Sequence, residues 1–326
     1  GAAAGLLGGG CSALALYVGR FDLLLLGAGL TGIFRSTHGY FRFAAADTAS
    51  EEFKPKAISL VLAGGLLSAF IGPEIVRSTT DAIDSTPYAG AYLAVIAINV
   101  IGSLGLLFLD IPTPPRKKKG EKSGRDLKEI FTQPKTVVAV ICAMVSYAMM
   151  TLVMTSTTLA MTATGFTTAA AADVVRWHII AMFAPSFFTG AIISRIGQLR
   201  VITIGLTLLG IAAFISVSGD EVENFYFALI ALGLGWNFGF IGATSLLTTT
   251  HTSEEQAKVQ GLNDVLVSGL VTIASFGSGA ILQIYGWEYV QYAMIPALSL
   301  AALAILWLAI KTRRARSIEP NFGGTW

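Results

Sequence analysis

The chain has 326 residues, of which 54% are hydrophobic and 13% are charged, and its mean hydropathy is +0.68. Soluble domains carry about 25% charged residues, so this composition excludes a soluble globular enzyme. The same shortage of charge argues against nucleic-acid binding, which requires a basic face to neutralise phosphates. The two cysteines, Cys11 and Cys142, lie far apart in apolar runs and predict neither a disulfide framework nor a metal site.

Ten apolar runs follow one another along the chain, each suited to cross a bilayer as a helix. About 20 apolar residues span the roughly 30 Å hydrocarbon core, and the runs lack the alternation of a membrane β-barrel. The runs cover residues 1–19, 22–46, 57–77, 88–110, 136–161, 172–194, 200–218, 224–249, 257–284 and 287–311. We therefore predict an all-α, polytopic membrane protein with four helices in residues 1–111 and six in residues 136–312.

A basic linker, residues 112–135, separates the first four helices from the last six and holds 11 of the 42 charged side chains. Because Lys and Arg favour the cytoplasmic side of a membrane, we place this linker there. Alternation of the helices then puts 17 Lys and Arg residues in inside loops, and only Arg20 and Arg77 in outside loops. We expect a multi-pass protein of the cell inner membrane, with the tail at 313–326 also cytoplasmic.

A weak internal repeat relates the two parts of the chain. GAGLTG at residues 27–32 matches GLGWNFG at 233–239, and SEE occurs at 50–52 and again at 253–255. This register pairs helices one to four with helices seven to ten. Many transporters are built from matched halves, so the pairing predicts that two helices are missing in front of Gly1.

Three short motifs resemble signatures of the major facilitator superfamily. RIGQLR at 195–200 resembles the second copy of the loop signature G-x-x-x-D-R-x-G-R-R, with Ser194 at the acidic position, and RSTHG at 35–39 is similar to R-x-x-Q-G. GGLLSAFIGP at 64–73 resembles the G-x-x-x-G-x-x-x-G-P pattern of the drug:proton antiporters. The resemblance implies a twelve-helix fold and proton-driven, alternating-access transport of a small organic solute, in which two helical bundles rock about a central site.

Charged residues inside membrane helices are costly, and are therefore candidates for function. Arg35, His38 and Arg42 lie at i, i+3 and i+7, on one helical face. Arg35 is about 20 Å from the outer end of its helix, and we expect it either to serve the substrate and proton pathway or only to bridge helices. We expect Arg42 to reach water near the cytoplasmic end. His178, in the sixth helix, either titrates in a proton-coupled cycle or is simply held by a hydrogen bond.

Further candidates lie in the second half of the chain. Trp236 and Asn237 fall in mid-membrane and either line the substrate site or pack against a neighbouring helix. Asp264 either caps the ninth helix or pairs with an arginine of a neighbouring helix as a gate. The gating and hinge candidates are Gly72, Pro73, Pro185, Arg195 and Gly197.

GAGLTG at 27–32 also spells the dinucleotide pattern G-x-G-x-x-G, but it lies in a long apolar helix instead of a strand–turn–helix unit, so we predict no cofactor site there. We also find no motif for a metal, ATP or catalytic nucleophile. The protein is thus expected to be no enzyme but a monomeric transporter whose partners are a small-molecule substrate, protons and the lipid bilayer. Two alternatives stay open: a complete ten-helix drug or metabolite transporter, and a membrane scaffold or sensor that transports nothing.

Overall fold

The computed structural model describes residues 1–79, 82–83, 85–106 and 124–318. Within these residues every regular element is an α-helix. In chain order the helices are α1 (Ala2–Val18), α2 (Phe21–Gly39), α3 (Phe41–Asp47), α4 (Lys54–Ala63), α5 (Leu66–Thr79), α6 (Ala89–Leu106), α7 (Leu127–Phe131), α8 (Pro134–Ala163), α9 (Thr168–Phe183), α10 (Ser186–Ile196), α11 (Gln198–Val217), α12 (Val222–Thr248), α13 (Gln256–Tyr285), α14 (Trp287–Tyr292) and α15 (Met294–Ile318). Part of the predicted linker and of the predicted tail, residues 112–123 and 319–326, lies outside the described residues.

In the part of the chain that the structure describes, six helical segments are long and apolar enough to cross a membrane. They are Lys54–Val76, Pro134–Ala163, Gln198–Val217, Val222–Thr248, Gln256–Tyr285 and Trp287–Arg313. The pair α9 and α10, bent by 40° at its break, makes a seventh if it counts as one span. The all-α, multi-pass architecture is as predicted, whereas the count of ten spans stays a prediction.

Several predicted runs are interrupted helices. The run at 57–77 breaks at Gly64–Gly65, where backbone hydrogen bonds shorten to i→i−3. The run at 287–311 breaks at Ala293, because Pro296 has no N–H to bond to Tyr292. Four runs in the second half of the chain form the single helices α8, α11, α12 and α13.

The chain divides into two compact units. Unit 1 comprises Gly1–Ser50 and Gly64–Lys117, and unit 2 comprises Glu51–Ala63 and Lys118–Trp326. In unit 1, α1 packs against α2 and α6. The α1 and α2 backbones lie close together, because a Cβ added at Gly27 would lie 2.8 Å from the carbonyl oxygen of Gly8. Small residues allow such close approach between membrane helices.

Unit 2 is built around α12, which packs against α8, α9 and α11. The α11–α12 interface is a backbone contact, since a Cβ at Gly205 would lie 2.3 Å from the amide nitrogen of Gly239. Helices α8 and α13 are joined toward their C-terminal ends by two serine side chains. Ser156 Oγ donates to the Ser278 carbonyl at 3.1 Å, and Ser278 Oγ donates to the Leu152 carbonyl at 2.5 Å. These contacts hold the helices of unit 2 in close packing.

Candidate functional site

An aromatic cluster lies inside unit 2, where α8, α9 and α12 meet. Trp236 is 2% exposed and touches three rings: Phe240 is stacked at 5.3 Å between centroids, while Tyr147 and Phe183 stand edge-on at 5.6 and 5.7 Å. Tyr147 and Phe183 are themselves partly exposed. A solute could therefore reach the cluster through these two rings, with Trp236 supporting them from behind.

Asn237 ties α12 to the break between α9 and α10. Its Nδ2 donates to the Met182 carbonyl and to Ser186 Oγ, each at 2.6 Å, and its Oδ1 accepts from Thr189 Oγ1 at 2.6 Å. Pro185, at the break, has no N–H with which to continue the helical hydrogen bonds. Since both amide hydrogens of the buried Asn237 are used on the protein, the geometry favours the helix-packing interpretation over a substrate contact.

The other side of α10 is covered by α4, also within unit 2. Ser59 Oγ donates to the Ser186 carbonyl and accepts a hydrogen bond from the Gly190 amide at 3.1 Å. A Cβ at Gly190 would lie 2.6 Å from the carbonyl oxygen of Pro55, so the two backbones touch. This contact between α4 and α10 was not predicted from the sequence.

His178 holds α9 against α12. It is fully buried, and its Nδ1 lies 2.8 Å from the carbonyl oxygen of Leu229. One turn further along α12, a Cβ at Gly233 would lie 2.7 Å from the His178 carbonyl oxygen. The geometry favours the alternative of a histidine held by a hydrogen bond, and a role in a proton pathway stays a prediction.

The polar residues of α2 and α3 do not share one environment. Arg35 and His38 are exposed on α2, and His38 lies between two phenylalanine rings at centroid distances of 5.0 and 4.9 Å. Arg42 lies beyond the end of α2, is only 7% exposed, and places its guanidinium 4.5 Å from the Phe43 ring centroid. The expectation that Arg42 reaches water is wrong, because its side chain is buried.

Asp264 does not cap its helix. Helix α13 begins at Gln256, two turns earlier, so Asp264 lies in the helix interior. It is partly exposed and accepts a hydrogen bond from Asn263 Nδ2 at 3.2 Å. Its pairing with an arginine as a gate stays a prediction.

The hinge candidates differ in their local backbone. Helix α5 continues through Gly72 and Pro73, and the break in this run lies earlier, at Gly64–Gly65. Gly197 separates α10 from α11 with φ of +88°, a conformation that favours glycine. Arg195 is exposed in the last turn of α10, where a cation complements the helix dipole. Their roles in gating stay predictions.

A buried ion pair joins the linker to the loop between α12 and α13. The Glu255 side chain, 2% exposed, accepts hydrogen bonds from Arg125 Nε at 2.8 Å, Arg125 Nη2 at 2.6 Å, and the Arg125 and Thr252 amides at 2.7 and 3.0 Å. The Arg125 guanidinium holds the pKa of Glu255 well below its usual range. Lys258 Nζ donates to the Arg125 carbonyl. This loop–linker clamp fixes the point where the chain enters α7.

Sequence analysis missed this clamp, although both halves of it carried a signal. Glu255 belongs to the repeated SEE motif, and Arg125 belongs to the basic linker. The pairing could not be read from the sequence because 130 residues separate the two side chains.

Comparisons with known proteins agree with this architecture. The Major Facilitator Superfamily model matches residues 1–175 and 139–325 of the chain. The chain belongs to the Major Facilitator Superfamily. It is 39% identical over 319 residues to the riboflavin transporter RfnT of Brucella anthropi, covering 97% of this chain and 78% of that protein. It is also 28% identical to the uncharacterized MFS-type transporter YdeG of Bacillus subtilis, covering 90% of this chain and 73% of that protein.

Two solved transporter structures share the fold. The outward conformation of the transporter FucP matches with a TM-score of 0.68 and 12% identity, covering 94% of this chain and 81% of FucP. An outward-facing bacterial homologue of ferroportin matches with a TM-score of 0.63 and 15% identity, covering 89% of this chain and 73% of the homologue. Membership of the Major Facilitator Superfamily, shown by the family model and the relatives, makes the protein an integral membrane transporter and not an enzyme.

The structure brings one group of predicted residues together. His178, Pro185, Trp236 and Asn237 all lie where α9 and α10 meet α12 in unit 2. Arg35 and His38 belong to unit 1, and Asp264 to α13. Within unit 2, the interface of α9 and α10 with α12 is thus the most developed candidate site.

Proposed function

We propose that this transporter moves riboflavin, or a solute with a similar flat heteroaromatic ring, across the membrane. The observation that carries the proposal is the 39% identity to a riboflavin transporter over 97% of the chain. The aromatic cluster supports it, because part-exposed rings such as Tyr147 and Phe183 offer offset or edge-to-face contacts to a planar ring system.

Unit 1 carries separate candidate residues on the exposed face of α2. An arginine that faces lipid is costly, so the exposure of Arg35 and His38 favours a water-filled path on that face. We propose that Arg35 binds polar groups of the solute and that His38 and Asp264 belong to a proton pathway. The cycle is then proton-coupled alternating access, as in the antiporters that the 64–73 motif resembles, with the α9–α10 break as a bending point.

The same proposal sets the orientation. The basic linker and the basic end of α15, which carries Lys311, Arg313, Arg314 and Arg316, favour the cytoplasmic side, because Lys and Arg are concentrated there. We place both there, in a cell inner membrane, with the transporter acting as a monomer.

Proteoliposomes that contain the purified protein test the substrate. We expect saturable entry of radiolabelled riboflavin, reduced by excess unlabelled riboflavin and dependent on an imposed pH gradient. A correctly folded protein that gives no flux above empty liposomes would refute riboflavin transport. Flux that does not depend on the pH gradient would refute proton coupling but not riboflavin transport.

Two matched substitutions test the site. Tyr147→Ala should raise the KM for riboflavin by up to about tenfold, because one ring contact contributes about 1.4 kcal/mol at most. Phe214→Ala, on a ring 71% exposed on α11, should leave the KM unchanged. Arg35→Ala should abolish transport while Arg20→Ala, an exposed arginine between α1 and α2, should not. Equal transport by both arginine variants would refute a role for Arg35 in transport.

A further inference from the structure

A cavity of about 330 Å³ lies in unit 2 between the start of α8 and the end of α15. Its lining residues are Gln133, Pro134, Lys135, Leu308, Lys311 and Thr312. Leu308 is buried and, with Pro134, gives the cavity an apolar wall, whereas Lys135 and Lys311 are exposed at its rim. The lining thus contains two cations and no carboxylate.

The position of this cavity along the two helices matches the headgroup region of a bilayer. Both helices belong to candidate membrane spans, Pro134–Ala163 and Trp287–Arg313, and the cavity lies at the first residues of one and the last residues of the other. Trp307, 45% exposed, lies beside it with the Lys311 ammonium 5.4 Å from its ring centroid. Tryptophan and lysine are the residues that mark the membrane–water interface.

The surface next to the cavity is suited to acyl chains. Along α15, Leu300 lies about three turns before Lys311 on the same helical face and is 55% exposed. Apolar side chains with this exposure on a membrane span face hydrocarbon. A ligand with an anionic headgroup and apolar chains would therefore contact the lysines of the cavity and the apolar surface of α15 at the same time.

We propose that the cavity binds an anionic phospholipid, with its phosphodiester between Lys135 and Lys311 and its chains along α15. Basic pockets between membrane helices recognise such headgroups. The Gln133 amide can donate a further hydrogen bond, whereas the Thr312 hydroxyl already donates to the Leu308 carbonyl at 2.8 Å. The volume suits a headgroup of small-molecule size. The proposal is independent of which solute is transported.

Native mass spectrometry of the purified, delipidated full chain tests the site, with phosphatidylglycerol and phosphatidylcholine of identical acyl chains as probes. We expect phosphatidylglycerol to be retained in preference to phosphatidylcholine. Lys135→Gln and Lys311→Gln should each weaken its retention about fivefold, and the double variant about twentyfold or more, from the contribution of one cation near an anionic headgroup. Lys128→Gln, at an exposed lysine of α7 outside the cavity, is the matched control and should bind as the wild type does.

Three results would overturn the proposal. The first is equal retention of both lipids by the wild type, and the second is an unchanged preference in a double variant that unfolds at the wild-type temperature. The third is displacement of phosphatidylglycerol by millimolar inorganic phosphate, which would identify a free-phosphate site in place of a lipid site. A double variant that fails to fold is replaced by Lys135→Arg with Lys311→Arg, which keeps both charges and should retain the preference.

Discussion

Replacing Asn237 with alanine should lower the stability of unit 2 without removing a contact to the substrate. The substitution removes three hydrogen bonds, to the Met182 carbonyl, Ser186 Oγ and Thr189 Oγ1, each 2.6 Å long. Side-chain hydrogen bonds between membrane helices contribute about 0.6 kcal/mol each, so their loss costs about 2 kcal/mol. For a unit of this size, this corresponds to a fall of about 4–8 °C in the unfolding temperature.

The control lies in the same helix. Asn224 makes a single long bond, from Nδ2 to the Ile215 carbonyl at 3.4 Å, near the start of α12. Asn224→Ala should therefore shift the unfolding temperature of the detergent-solubilised protein by less than about 2 °C. If Asn237→Ala is as stable as Asn224→Ala, the Asn237 hydrogen bonds at the α9–α10 break do not stabilise the unit.

Transport kinetics separate the two roles that the sequence left open for Asn237. A residue that only positions the helices should change the maximal rate of riboflavin entry while KM stays within about twofold. A residue that binds the solute should raise KM about tenfold, the effect of losing about 1.4 kcal/mol of binding free energy. A tenfold rise in KM at an unchanged maximal rate would therefore contradict the packing interpretation.

Two further predictions follow from contacts in unit 2. Gly205→Ala should destabilise the protein by about 2 kcal/mol, because the added Cβ would lie 2.3 Å from the Gly239 amide nitrogen; Gly210→Ala, on the same helix with nothing within 4 Å, should be nearly neutral, and equal thermal unfolding of the two would contradict the backbone contact. The pKa of Glu255 is lowered by Arg125, so its ion pair stabilises the folded state above the ordinary glutamate pKa of about 4.3 and progressively less below it. The stability advantage of the wild type over Glu255→Gln should accordingly be full at pH 7 and shrink below about pH 4.3, and a gap that stays constant to pH 3.5 would refute it.

The fold was predictable because its main cause is visible in the sequence. Long apolar runs force helices in a bilayer, where backbone groups must bond within the segment, and α8, α11, α12 and α13 formed as single helices. The interruptions were harder to predict. Pro185 signalled its break directly, but Pro73 lies within the continuous α5, while the neighbouring break falls at a glycine pair. The sequence shows which residues can interrupt a helix, and packing decides which of them do.

The site was predictable in residue type but not in orientation. Trp236 and Asn237 are adjacent in α12, yet Trp236 supports a group of part-exposed rings while Asn237 turns to the α9–α10 break. The helical period fixes the angle between them, but only the packing of α9 and α10 determines which of them meets the aromatic rings and which meets the helix break. The Glu255–Arg125 pair was missed for the same reason, since its partners are distant in sequence.

The short helix α10 is where these observations meet. It begins after Pro185, ends at Gly197 with φ of +88°, and so is bounded on both sides by points where the regular helix stops. Two side chains fasten its first turns, Asn237 from α12 and Ser59 from α4. Apolar contacts alone can hold a helix in a packed core. A helix with a break at each end can adopt several positions, and directional hydrogen bonds such as those of Asn237 and Ser59 select one of them. The hydrogen bonds of Asn237 and Ser59 together therefore specify one position of α10 among those that the two breaks allow.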